Sequence, residues 1–376
     1  MSSLRCEFAV NLFQQMRKSE EGNISVSPLS IASGLTMICL GCKEKTSSEI
    51  QEVLYLKENE RSKVEKLENV HLHFQKFLAK ENQPNGAYKL KIANKLYGDQ
   101  KIQFNQEFLE NIKKFYLASL EAANFTNAAE ESQKTINSWM ESQTNGKIVF
   151  PKGSLSNTTL LVLADIAYFT GEWDKKFDGK MTEQGEFWLA KDKSKRVQMI
   201  KQTNSFNFSS LEDLKVKILE IPYKDKELSL VLLLPNEVDG LKKLEDNLTP
   251  EKLTEWTSPQ KMSQRQVSVC LPRFKTEGYY DLKAMLMAMG MVSAFSAHDA
   301  NLAGMTGSKG LTLSAVLHKC FVEVTEGKEA AATTRAEASA ESAQASESFC
   351  CDHPFLFFIK HRGLKSVFFF GRVSSP

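Results

Sequence analysis

From Glu326 to Ser348 the chain reads EGKEAAATTRAEASAESAQASES, twenty-three residues that include no Val, Ile, Leu or aromatic. Composition alone makes this a disordered linker, since such a segment has too little apolar surface to offset the entropy of ordering it. Its pattern says more. From Lys328 in steps of two come Lys328, Ala330, Ala332, Thr334, Ala336, Ala338 and Ala340. The other parity gives Glu329, Ala331, Thr333, Arg335, Glu337, Ser339 and Glu341. After Lys328 the first set is small and uncharged, and every charge falls in the second. That is the two-residue period of a strand with one packable face. A long loop inside a folded domain is commonly functional, and this one is patterned to become a strand.

The flanks support that reading. Cys320-Phe321-Val322-Glu323-Val324 before the loop, and Phe355 to Lys360 after it, are strand-like. Val367 to Val373 follows the turn His361-Arg362-Gly363, completing a hairpin whose aromatic content suits a sheet interior. Upstream, Leu160 to Phe169 is a buried-strand run ending near Gly171, and Val216 to Ile221, Leu228 to Leu234 and Val267 to Leu271 read as further strands. The first half is helical. Leu4, Phe8, Leu12 and Met16 recur every four residues, Ser27-Pro28 opens a helix through Ile31, Leu35 and Met37, and Ile136, Trp139 and Met140 share a helix face. No composition break divides the chain, so residues 1–376 are expected to form one α+β domain.

The bulk chemistry is unremarkable and therefore excludes much. Apolar residues make up 42% and charged residues 25%, with a net charge of +2, which favours neither nucleic acid nor a membrane surface as partner. Met1 to Asn23 lacks the apolar run of a signal peptide, and no stretch reaches membrane-spanning length, so the cytosol is the expected compartment. Seven scattered cysteines, including a Cys39-x-x-Cys42 with no second pair, fit free thiols rather than disulfides or zinc. The six histidines are too dispersed to suggest a metal site, His71 and His73 read as solvated, and His298-Asp299 reads as loop. Neither a GxSxG, an HExxH, a P-loop nor a GxGxxG is present. No cofactor, metal or catalytic set is expected, and the chain does not read as an enzyme.

VEVTEGKEAAATT (Val322 to Thr334) resembles the hinge of the serpins' reactive loop. DHPFLFFIK (Asp352 to Lys360) and FFFGRVSSP (Phe368 to Pro376) resemble the strands that follow that loop. The similarity continues through NISVSPLSI (Asn23 to Ile31), KLYG (Lys95 to Gly98), INSWMESQTNGKI (Ile136 to Ile148), LVLADIAYFTGEW (Leu161 to Trp173), LPRFK (Leu271 to Lys275) and LAGMTGSKGLTLSAVLHK (Leu302 to Lys319). By these motifs the chain is identified as a member of the serpin family, similar to its ovalbumin-like intracellular group, clade B.

The resemblance implies three β-sheets with about nine helices and an exposed reactive loop over about residues 326–348. It implies a monomer that a serine or cysteine protease attacks as substrate. The cleaved loop enters the main sheet as a strand and holds the protease in a covalent complex. Counting along the loop places the cleaved bond at Glu341-Ser342, with Ala340 the neighbouring candidate. The hinge is Glu326, Gly327, Lys328, Glu329, Ala330, Ala331 and Ala332. Ser27, Ser30, Asp165 and His318 match positions beneath the strands that part.

Three departures keep a second reading open, a serpin cleaved as a substrate or serving in binding or storage. Thr325-Glu326-Gly327 has one glutamate where inhibitory members carry two, which would shorten the hinge. Lys328 stands where the first inserted side chain is usually Thr, Ser or Val. Asp165 replaces an Asn, and a buried aspartate calls for a protonated His318 as partner.

Overall fold

The architecture follows from where the chain alternates and where it is apolar throughout. The computed structural model describes residues 6–56, 63–144, 146, 155–328, 344–362 and 366–376, with side chains of residues 63–66 excepted. Numbered along the chain, its helices are α1 (Cys6–Met16), α2 (Pro28–Cys39), α3 (Glu44–Val53), α4 (Lys63–Glu81), α5 (Gln106–Tyr116), α6 (Phe125–Thr144), α7 (Leu241–Asn247), α8 (Pro250–Trp256), α9 (Lys283–Ala288) and α10 (Ala303–Thr306). These ten among the described residues stand close to the nine expected. Every residue of α2 is buried, and its sequence carries no charge, only apolar residues, a glycine and the hydroxyls of Ser30, Ser33 and Thr36. Ser27 caps it, accepting the Ser30 N–H at 3.2 Å, and Pro28 occupies the first turn.

One sheet has five strands in the order β10 (Phe274–Asp281), β11 (Ala315–Val324), β4 (Leu161–Gly171), β2 (Tyr88–Asp99) and β3 (Ser119–Ala123). Its centre is unusual. β11 and β4 run parallel over nine register pairs, from Ala315 opposite Val162 to Glu323 opposite Thr170, while their outer neighbours β10 and β2 pair antiparallel.

The remaining strands form a second hydrogen-bonded array. Its path runs β1 (Ile24–Val26), β14 (Ser366–Val373), β13 (Phe355–His361), β8 (Leu228–Pro235), β7 (Val216–Pro222), β6 (Lys193–Leu211), β9 (Ser263–Pro272) and β12 (Glu347–Cys350). A further strand, β5 (Glu183–Ala190), pairs with β6. The 19-residue β6 meets β7 through its C-terminal end and β9 through its middle, so two of the three expected sheets are continuous through one strand. The aromatic hairpin β13–β14 is interior, with Phe357, Phe358, Phe369 and Phe370 all buried.

The two ends of the patterned loop are therefore fixed in different sheets. β11 ends at Val324, and β12 starts at Glu347, so Glu347 and Ser348 belong to a strand rather than to the loop that composition assigned them to. Leu4, Glu329, Ala330, Ala331, Ala332, Ala340, Glu341 and Ser342 lie outside the described residues.

Candidate functional site

Under the five-stranded sheet, α2 and the residues leading into it meet the strands one after another. Ser25 N–H donates to the Tyr280 hydroxyl of β10 at 3.1 Å. Ser27 N–H donates to His318 Nε2 of β11 at 3.0 Å. The Ser30 hydroxyl meets Asp165 Oδ1 of β4 and lies 3.2 Å from the Ile166 carbonyl, and Asn94 Nδ2 of β2 donates to Ser33 Oγ at 3.3 Å. Tyr280, His318, Asp165 and Asn94 are register partners across four adjacent strands, so one polar row spans the sheet beneath its parallel seam. Gly34 keeps α2 this close, since a Cβ there would lie 2.7 Å from Asn94 Oδ1 and 2.9 Å from Leu163.

The seam itself is crossed by a bond of 2.6 Å between His318 Nδ1 and Asp165 Oδ2, both side chains fully buried. A backbone N–H can only donate, so His318 Nε2 must accept from Ser27 and carries no proton. The remaining ring proton sits on Nδ1 and is donated to Asp165. The expected partnership thus exists, but the expected protonated His318 is corrected: the imidazole is neutral, held in one tautomer by the capping segment of α2. The sequence contained both partners but not the Ser27 N–H that fixes the proton.

At the upper end of the same seam lies the hinge. Trp173 Nε1 donates to the Thr325 carbonyl at 2.7 Å, and Lys328 N–H donates to Glu172 Oε1 at 2.9 Å. Trp173 and Glu172 follow directly on β4, so the segment leaving β11 is tied to the strand across the seam. Gly327 has φ +92°, and a Cβ on it would come within 2.4 Å of Glu172 Oε2. Only glycine suits both that left-handed backbone and that contact. Glu326 is 7% exposed and takes a forked contact from Arg273, Nη2 at 2.6 Å and Nε at 2.8 Å, with the Thr182 hydroxyl donating as well. Burial raises its carboxyl, but the Arg273 and Thr182 hydrogen bonds outweigh that and hold it below the usual range. The Lys328 side chain is exposed.

The structure thus brings Ser27, Ser30, Asp165 and His318 together under the seam, and Glu326, Gly327 and Lys328 at its mouth. Tyr280, Asn94, Ser33, Glu172, Trp173 and Arg273 were missed; only the three-residue spacing of Ser27, Ser30 and Ser33 signalled a shared helix face. His71 is a further correction. It is buried, its Nδ1 meeting the Tyr116 hydroxyl at 2.5 Å, and burial lowers its pKa to about 4. All seven cysteines are free, with Cys39 and Cys42 buried as expected. Among the described residues no group of metal-ligating side chains comes together, and no helix is long and apolar enough to cross a membrane.

The model of the serpin family, described as serine protease inhibitor, matches residues 3–376. The chain belongs to the serpin family. This serpin is 52% identical to human Serpin B4, with 100% of the chain and 99% of that protein covered. Its identity to human leukocyte elastase inhibitor is 40%, again over 100% and 99% of the two chains. These relatives set it in the ovalbumin-like clade B group. Uncleaved ovalbumin superposes with a TM-score of 0.88 at 36% identity, covering 98% of each chain. A loop-inserted, cleaved ovalbumin mutant superposes with 0.83 at 33% identity, covering 99% of each. The higher score for the uncleaved form agrees with the direct β11–β4 pairing, which leaves no strand between them.

Proposed function

We propose that the chain inhibits a serine or cysteine protease as a suicide substrate. The protease attacks the bond Glu341-Ser342, or the neighbouring bond after Ala340, and is carried as an acyl-enzyme on the new C-terminal end of the loop. The loop then turns back at Gly327 and enters between β11 and β4. The observation that carries this reading is the parallel seam with the hinge tied across its mouth. A chain leaving β11 and folding back runs antiparallel to it, and because β4 is parallel to β11 the same strand is antiparallel to both. Insertion therefore exchanges one parallel ladder for two antiparallel ones, the better-bonded arrangement. The alternating face of Ala330, Ala332, Thr334, Ala336, Ala338 and Ala340 supplies side chains small enough to enter a packed sheet.

Lys328 favours the second reading, a substrate that inserts too slowly to trap its attacker. Against it, the Glu172 carboxylate already holds the Lys328 backbone and offers the ammonium a counter-charge at the open end of the sheet. The relatives' names support inhibition, and the working form in this reading is a cytosolic monomer. Mixing the protein with a panel of serine and cysteine proteases separates the readings. A complex that survives denaturing electrophoresis is the expected product. Cleavage near Glu341 without any such complex would establish the substrate reading instead.

A further inference from the structure

We propose that Cys270 and Cys350 form a reversible redox site, a cross-strand disulfide made by hydrogen peroxide that fastens the C-terminal end of the reactive loop to its sheet. The two residues are direct register partners on the parallel strands β9 and β12. Around them β9 alternates, with Val267, Val269 and Leu271 buried and Cys270 partly exposed, while β12 places Phe349 inward and Cys350 outward. Both thiols therefore stand on the same outer face, half-buried and open to a small oxidant. Neighbouring strands in a sheet lie about 4.8 Å apart, inside the Cα separation a disulfide spans.

Lys201 of β6 is the register partner of Cys270 on its other side, so the row reads ammonium, thiol, thiol across three strands. The neighbouring Cys350 thiol and then Lys201 lower the pKa of Cys270, while the Cys270 thiol and burial raise that of Cys350. One thiol is thus prepared as nucleophile and the other as resolving partner. The Cys270 thiolate attacks peroxide, giving a sulfenic acid and hydroxide. The Cys350 thiol then displaces water from that sulfur, and the disulfide forms with peroxide as the two-electron oxidant. Cys351, next in sequence, is fully buried with its pKa raised, so it does not compete.

The consequence rests on the strand-insertion reading above. Among the described residues β12 is a four-residue edge strand whose ladder partner is β9. An uncleaved loop could enter the seam only by dragging residues 344–346 away and peeling β12 from β9. A cleaved loop has no such tether. The disulfide therefore blocks spontaneous insertion of the intact loop and leaves insertion after cleavage untouched.

Peptide mapping without reductant, after peroxide treatment of the reduced protein, is the test. A Cys270–Cys350 linked peptide is expected, and Cys350→Ser should instead leave a Cys270 sulfenic acid that dimedone captures, while Cys351→Ala should change nothing. Consumption of thiols with no such linked peptide, or linkage through Cys351, overturns the site. On warming, the oxidised intact protein should convert to a protease-resistant, loop-inserted form at least about tenfold more slowly than the reduced one. Equal rates despite the linked peptide would overturn the fastening role. The rise in melting temperature on loop cleavage is read separately in reduced protein. Its absence would sink the insertion reading and leave the disulfide standing.

Discussion

Replacing Asp165 with alanine removes the buried bond by which side chains of β11 and β4 themselves meet across the seam, below the ties at its mouth. That bond is 2.6 Å long and fully buried at both ends, and its partners face each other in register. Whatever opens the seam must break it, so its loss lowers the barrier by about what the bond contributes. Buried hydrogen bonds of this kind are worth about 1–3 kcal/mol, the upper part of the range applying to an ionised carboxylate. At about 2 kcal/mol, opening should accelerate about 30-fold. The assay is uptake of a labelled synthetic peptide with the sequence of Lys328 to Ala340, followed by fluorescence anisotropy. Ser33→Ala is the control, because it removes a bond of similar burial to β2, which does not border the seam. Uptake by Asp165→Ala well above both wild type and Ser33→Ala is expected. Equal acceleration in the two variants, or none in either, would show that the His318–Asp165 bond does not hold the seam.

Three further outcomes are expected. Cleavage at the reactive bond should raise the melting temperature measured by calorimetry; Ala332→Arg should abolish that rise and convert trapping into turnover, whereas Arg335→Ala, on the outward parity, should leave both intact. Lys328→Thr should increase the fraction of cleavage events that end in a trapped protease, since burying an ammonium costs several kcal/mol, and an unchanged ratio in a titration of protease activity would show that the charge finds Glu172 or solvent. His71 has a folded pKa of about 4 against 6.5. Its unfolded form therefore binds the extra proton, and this group's contribution is full above pH 6.5 and lost as pH falls towards 4. The loss reaches about 3 kcal/mol, so His71→Phe should flatten denaturant-measured stability over that window, and parallel profiles for mutant and wild type would count against the burial of a neutral ring.

Much of this was legible in the sequence because strand and helix periods are local. The Ser27-Pro28 start of α2, the runs that became β4, β7, β8 and β9, and the β13–β14 hairpin all lie where alternation and capping chemistry put them. Cross-strand register is not local, and the unread features depend on it. Tyr280 and Asn94 join the row under the seam only because their strands align within one residue of His318 and Asp165. Arg273 reaches Glu326 across 53 residues of sequence. Cys270 and Cys350 looked scattered for the same reason, and the neutrality of His318 turns on a single backbone N–H.

The serines of α2 have a metric consequence. Ser27, Ser30 and Ser33 are each three residues apart, a helical rise of about 4.5 Å, and adjacent strands are about 4.8 Å apart. The helix is thus commensurate with the closed sheet, one serine to each strand. Admit another strand and β11 and β4 stand about 9.6 Å apart, twice the step the helix offers. Ser27 and Ser30 could then no longer serve His318 and Asp165 at once. The helix works as a gauge ruled for the closed spacing alone, so expansion of the sheet must either shift α2 along its axis or surrender one of its contacts.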